Sequence, residues 1–344
     1  MQLFDSLEKR KELRKGTTRR RFVYTLLAGI GVYYGHKWWR MRPKPVSQRV
    51  TEYLTSNQRF FNISIDPSFR PDVSLDNYKL IVINPSGNMN SYAYADLAAR
   101  PSQRIVRTLM CVGNPVGGTG IGNAEWKVIS LSPILSENLD GQGISDIEDL
   151  EVCFYGLDGF YSSVPFSVAN DPNTFLALEM NGEPLPRKHG FPLRVLIPDK
   201  YGMKQPRWLE KIVIGRSVPS GYWERRGWSW DCEIKMNSRI DSVRPMKRSD
   251  EWIVKGIAFC GWNKVGKVEL SDDQEIWQKA HLRESPRNGA WSTWEYAWRP
   301  KKPGPAVLSV RVTDEAGNRQ VESYSGSFRS GSTGLHSVVF DSKD

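Results

Sequence analysis

The hydrophobic pattern divides the chain into stretches of different style. Residues 22–35, FVYTLLAGIGVYYG, form one nearly uninterrupted apolar run. Between about residues 51 and 232, apolar or alternating runs at 77–83, 105–111, 151–157, 193–198 and 210–215 predict strands, and YAYADLAA at 92–99 predicts a short helix. The alternation is irregular and Gly and Pro breaks are frequent. This part is therefore expected to be an α+β domain with mixed sheets rather than a regular βαβ array. From about 233 to 325 the pattern changes to short strands separated by turn signals such as Asp272-Asp273, PGP and EAGN, as in a β-sandwich. Residues 326–344, rich in Ser and Gly, carry no periodic signal and read as a tail.

Charge changes the picture only at the N-terminus. The 344-residue chain carries a net charge of +10. The first 50 residues hold 13 Lys and Arg against 3 Asp and Glu, which accounts for the whole excess and leaves 35 basic and 35 acidic residues in the remainder. A nucleic-acid partner thus has no support in the globular part, and the basic N-terminus points to membrane targeting instead. Residues 1–15 place Leu3, Phe4 and Leu7 on one helical face among basic residues, which fits either a short surface helix or an unstructured basic leader. TRRRFV at 18–23 resembles a twin-arginine export signal, with Arg19 and Arg20 as the pair.

The 14 apolar residues that follow would span about 21 Å as a helix, short of a hydrocarbon core of roughly 30 Å. Trp38-Trp39 between Lys37 and Arg40 nevertheless forms the aromatic and basic edge expected where a helix leaves a membrane, and no small-x-small cleavage site follows. The expectation is an uncleaved anchor over residues 1–45, rather than a cleaved signal, holding the protein on the periplasmic or a thylakoid-lumen-like side. Residues 42–50 read as an extended linker with two prolines.

Candidate chemistry gathers around CVGNPVGGTGIGNAEW, residues 111–126. Cys111 ends an apolar strand-like run and is followed at once by a glycine-rich turn. A thiol fixed there can ligate a metal, and the glycines let backbone N–H groups approach a bulky anion. By spacing alone, a small buried hydrophobe is the commoner explanation of such a cysteine. The other cysteines, Cys153, Cys232 and Cys260, form no CxxC pair, and two of them could form a disulfide.

Cys111, Gly113-Asn114 and GNAEW together resemble the cofactor-cysteine segment of the sulfite oxidase family of molybdopterin-dependent oxidoreductases. Residues 176–212 resemble the family's pterin-binding stretch, and YWERR follows at 222–226. MNSRID at 236–241, GIAFCGWNKVGKVELS at 256–271 and VRVTDEAGNRQ at 310–320 continue the similarity. The resemblance implies a molybdopterin domain over 51–232, an immunoglobulin-like dimerisation-type domain over 233–325, and the molybdenum cofactor. It makes Cys111 the metal ligand, and Phe60, Gly113, Asn114, His189, Arg194, Lys204 and Arg207 cofactor contacts.

Four places depart from the sulfite-oxidising pattern. Pro115-Val116 stand where sulfite oxidases have arginines, RFFNIS at 59–64 lacks the following Arg and His, and Ser292 in GAWSTW replaces a further arginine. The family's catalytic tyrosine falls on Phe160, with Tyr161 one place later as the candidate catalytic residue. Without those arginines a sulfur oxyanion is a poor substrate and a neutral oxide a better one. The implied activity is oxygen-atom transfer on a small molecule. No haem, flavin or iron–sulfur motif is visible, so electrons would be exchanged with an external protein or quinone. The alternative is a non-catalytic subunit keeping this fold as an interaction module in a membrane complex.

Overall fold

The computed structural model describes residues 43–141, 146–247 and 249–342, which belong almost wholly to a compact unit, Pro45–Asp344. The predicted signal and anchor over residues 1–45 lie, except for the last three residues, outside the described residues. Among the described residues no helix is long and apolar enough to cross a membrane.

The N-terminal half is built on two sheets. In one, the strands run in the order Arg194–Leu196, Phe175–Met180, Ile121–Ser130, Ser102–Met110, all antiparallel. In the other the order is Met89–Ala93, Lys79–Ile83, Leu209–Gly215, Glu151–Gly156, Tyr161–Pro165. Lys79–Ile83 and Leu209–Gly215 pair in parallel, with Ile212 opposite Val82, while the remaining pairs are antiparallel. This is the mixed arrangement the irregular alternation implied.

Alternation sorts the side chains of the first sheet onto two faces. Leu176 and Leu178 point into the core shared with Leu80, Val82, Phe154 and Ile212. Phe175, Ala177, Trp126 and Val128 point the other way and pack with Phe60, Leu109 and Leu196. The predicted helix at 92–99 is trimmed to Tyr94–Ala98 because Tyr92 and Ala93 are drawn into the strand Met89–Ala93, and the Asp96 carboxylate accepts the Ala93 N–H.

The C-terminal half is a β-sandwich. Asn237–Pro245, Trp252–Phe259 and Ser292–Trp298 face Val265–Ser271, Pro305–Asp314 and His336–Asp341, across a core that includes Ile240, Val254, Trp294, Val268, Val310 and Phe340. The segment 326–344 is thus more than a tail. Val338 and Phe340 alternate inward from a strand that pairs with Pro305–Asp314, a two-position signal too short to read among the preceding Ser and Gly. All four cysteines are free, so no disulfide forms. A further apolar cluster joins Met110, Val112 and Ile121 to Ile257, Phe259 and Trp291, and so seats the loop after Cys111 against the sandwich.

Candidate molybdopterin site

Cys111 emerges directly from the end of the strand Ser102–Met110. Its N–H donates to Gly120 O (2.8 Å) and its carbonyl accepts the Asn114 N–H (3.0 Å), which folds the intervening chain into a tight loop. The Asn114 side chain fastens that loop from within, Oδ1 accepting the Gly120 N–H at 2.8 Å. A Cβ at Gly118 would collide with the same Oδ1, so the loop closes only around glycine here. Ser332 Oγ donates to the Asn114 carbonyl (2.7 Å) from the sandwich side. Asn114 Nδ2, also buried, has no partner.

The second wall is the turn Arg187–His189, which ends at Gly190 with φ +116°. Within the turn only the Arg187 carbonyl finds a backbone partner, the Gly190 N–H at 3.4 Å. Three side chains take the turn's carbonyls in succession. Trp208 Nε1 donates to Arg187 O (2.6 Å), Arg207 Nη1 to Lys188 O (2.6 Å) and Arg194 Nη1 to His189 O (3.0 Å). A Cβ at Gly190 would sit 3.1 Å from the Cβ atoms of both Arg194 and Arg207, so the missing side chain lets the two arginines converge.

These elements enclose a cavity of about 510 Å³. Cys111, Gly113, Asn114, Phe60, His189, Arg194 and Arg207, all read from the sequence, line it together. Phe60 is held over Gly122, where a Cβ would lie 2.7 Å from its ring, and it meets Trp126 and His189 edge-on at 6.0 and 5.5 Å.

Two of the expected residues do not reach the cavity. Lys204 is buried in an ion pair with Glu224, donates to Ser163 O (2.8 Å) and lies 4.3 Å from the Trp230 ring centre. Its charge is already paired, and it does not line the cavity. Tyr161 is the first residue of the strand Tyr161–Pro165; its ring stacks on Tyr155 at 5.5 Å and its hydroxyl accepts from Arg225 Nη1 (2.6 Å). Phe160, one place earlier, lines the cavity instead. With its ring on Tyr155 and its hydroxyl taken by Arg225, the tyrosine is tied away from the cavity that its neighbour lines.

Among the departures from the sulfite-oxidising pattern, Pro115 lines the cavity whereas Val116 and Ser292 do not. The sequence reading missed Trp223, Trp228 and Arg49, which complete the wall. Arg49 falls in the predicted linker, and a lone Arg in an extended segment carries no signal of where it docks.

The electrostatics describe a site built for an anion. Arg194 is fully buried without a carboxylate partner, its Nε makes no hydrogen bond, and burial followed by the nearby Arg207 charge pushes its pKa down to about 9. Burial likewise lowers Arg207 to about 10, with Asp158 opposing. A buried guanidinium without a counter-charge costs several kcal/mol unless a ligand supplies one. His189 Nε2 lies 2.7 Å from Asn57 O, and burial pushes its pKa down to about 4. The imidazole is therefore neutral at pH 7, with Nε2–H donating to that carbonyl. Burial raises the Cys111 thiol, so it is no free nucleophile and becomes a thiolate only when a metal displaces its proton.

A soft donor on a rigid loop, two under-compensated guanidinium groups and an unpartnered amide on one cavity define a pocket for a large phosphorylated cofactor with a thiophilic metal. The oxidoreductase molybdopterin binding domain family matches residues 68–223. Mitochondrial sulfite oxidase of Rattus norvegicus is 31% identical, the match covering 80% of this chain and 59% of the relative. The chain thus spans somewhat over half the length of the curated sulfite oxidases it matches. A putative protein-methionine-sulfoxide reductase subunit YedZ1 from Azospira oryzae is 27% identical over 56% of this chain and 70% of its own length. The crystal structure of the sulfane dehydrogenase SoxCD from Paracoccus pantotrophus shares the fold, with TM-score 0.70, 18% identity and 88% of each chain covered. Residues 68–223 are thus an oxidoreductase molybdopterin binding domain, the chain resembles the sulfite oxidases over most of its length, and its cofactor is the molybdenum cofactor. The unpartnered Arg194 Nε and Asn114 Nδ2 fit that group.

Proposed function

We propose that the protein is a molybdenum-dependent oxidoreductase that moves an oxygen atom to or from a small neutral substrate and exchanges electrons with a separate redox protein or quinone. The observation that carries this reading is the convergence of Cys111 with unpartnered buried donors on one cavity. A scaffold relieved of its cofactor would gain stability by replacing such an arginine with an apolar residue, so the retained charge favours the enzyme over an interaction module. When bound, the molybdenum cofactor supplies the two-electron exchange that makes or breaks the bond to the transferred oxygen.

The chain's own residues bind and orient. Cys111 donates its thiolate, Arg194 and Arg207 compensate the phosphate, and neutral His189 holds its ring against Asn57. Phe160, Trp223, Trp228 and Pro115 form an apolar wall that excludes water. That wall suits a sulfoxide or N-oxide, which asks for less compensating charge on desolvation than an oxyanion does. The relative from Azospira oryzae named for methionine-sulfoxide reduction supports the same class. Twin-arginine export, an uncleaved N-terminal anchor and a homodimer or membrane complex formed through the sandwich complete the proposal.

The test is molybdenum analysis and dye-coupled turnover of wild type and Cys111→Ser. Near-stoichiometric metal and turnover of a neutral oxide are expected for wild type, with turnover lost in the variant and the fold retained, because one soft donor is replaced by a hard one. Even with Arg49 standing in for one missing arginine, at least one charge-assisted bond worth about 1.5 to 3 kcal/mol is absent, so sulfite should be handled roughly tenfold or more worse. Sulfite oxidation at a micromolar KM, or unchanged turnover in Cys111→Ser, would defeat the reading.

A further inference from the structure

Arg49 is the cation of the cavity that the cofactor-binding set does not use. It reaches the cavity from the extended segment before the first sheet, on the side of the glycine loop, where its Nη1 donates to Gly117 O (3.0 Å). Its backbone N–H donates to Asp241 O (2.7 Å), which fixes the residue from the main chain as well as from the side chain. Among the described residues Nε and Nη2 find no hydrogen-bond partner, and the side chain keeps about a third of its surface exposed.

The surroundings hold this guanidinium in place without neutralising it. Asp241, fully buried, lies 4.0 Å from Arg49 Nη1, but its Oδ1 is engaged at 2.6 Å by Arg239 Nε, and its Oδ2 accepts the Thr51 hydroxyl at 3.3 Å. Arg239 in turn donates from Nη1 to Gly118 O (2.7 Å). The remaining titratable neighbour, His336, accepts the Ile240 N–H at Nδ1 (3.0 Å), and its ring packs over Gly117. Such a ring is uncharged. Two guanidinium groups therefore share one carboxylate, and the free N–H edge of the cluster belongs to Arg49.

We infer that Arg49 is the substrate-oxygen donor of this site: its free N–H edge hydrogen-bonds the dipolar oxygen of a bound sulfoxide or N-oxide. This rests on the neutral-substrate reading above. One guanidinium edge, with its other Nη tied to a backbone carbonyl, satisfies a single strongly polarised oxygen well and a tetrahedral dianion poorly. Arg239 and Asp241 act as positioning residues, because they touch the glycine loop and Arg49 rather than the cavity.

The test compares molybdenum-loaded wild type, Arg49→Met and Arg49→Lys. Trimethylamine N-oxide reduction is followed at steady state with a reduced dye, and sulfate binding to the oxidised proteins is followed by tryptophan fluorescence. Arg49→Met should raise the N-oxide KM at least tenfold with a smaller change in kcat, Arg49→Lys should recover part of it, and molybdenum content should match wild type in both. Equal KM values in wild type and Arg49→Met would overturn the inference. A wild type that leaves N-oxide untouched yet binds sulfate, with at least tenfold weaker binding in Arg49→Met, would uphold Arg49 as the oxygen donor and overturn the neutral-substrate reading. No dependence on Arg49 with either probe would overturn the inference itself.

Discussion

His189 is held neutral by its surroundings, and that fixes how the fold should respond to acid. Burial places its pKa at about 4 and that of His336 at about 3, against an ordinary value of 6.5. Between those limits the unfolded chain binds protons that the folded chain refuses. The stabilising contribution is therefore complete above pH 6.5 and is lost as pH falls from 6.5 towards 4 and 3. Each histidine accounts for about 3 to 5 kcal/mol at most. Denaturant unfolding at pH 7.5 and pH 4.5 should show a marked drop for wild type and a smaller one for His189→Gln, whose amide can still donate to Asn57 O. An identical drop in both proteins would mean that His189 is charged in the fold.

At the scale of elements, the pair that removed Lys204 from the cavity shapes the cavity from behind. Lys204 closes the turn Gly202–Lys204, and Glu224 opens the turn Glu224–Arg226 next to Trp223. Ser162 Oγ also donates to Glu224 (3.0 Å), so the pair ties both turns to the strand Tyr161–Pro165. The side chains are 1% and 5% exposed, which makes each charge expensive to leave alone. Lys204→Met should cost about 3 to 5 kcal/mol by strandeding the Glu224 carboxylate, and Lys204→Met with Glu224→Leu should recover much of that. A single mutant as mild as a surface change, under about 0.5 kcal/mol, would show that the pair does not hold these turns.

The same elements show what the sequence could and could not convey. Strand runs such as KLIVI at Lys79–Ile83 and LEKIVIG at Leu209–Gly215 announce themselves by apolar density, and the glycine loop and HGFPLR mark the site by resemblance. Lys204 misled because its partner lies twenty residues later, and a basic residue inside a matched motif looks the same whether it faces phosphate or glutamate. Tyr161 misled because it pairs with Tyr155 at the start of a strand and gives its hydroxyl to Arg225, contacts that no local pattern announces. Arg49 was hidden because only tertiary packing on Asp241 brings it to the cavity.

For the whole molecule, the decisive feature is the separation of charge between a neutral globular part and a basic N-terminus. A uniformly basic protein would owe its charge to a polyanionic partner, whereas an excess confined to the first 50 residues fits the proposed membrane targeting. A cavity lined by residues as far apart in sequence as Phe60, Cys111 and Arg207 requires a finished fold, since no short segment contains it. Under the export proposed above, insertion would precede translocation, and the route would have to carry folded protein. We propose that Arg19 and Arg20 are the pair such a route reads, so replacing both with Lys should leave a folded, molybdenum-loaded protein in the cytoplasm. Fractionation together with metal analysis measures this directly. Delivery of the double variant across the membrane at wild-type level would remove the twin-arginine reading, while recovery of wild type as a soluble exported protein would remove the anchor and leave the export signal standing.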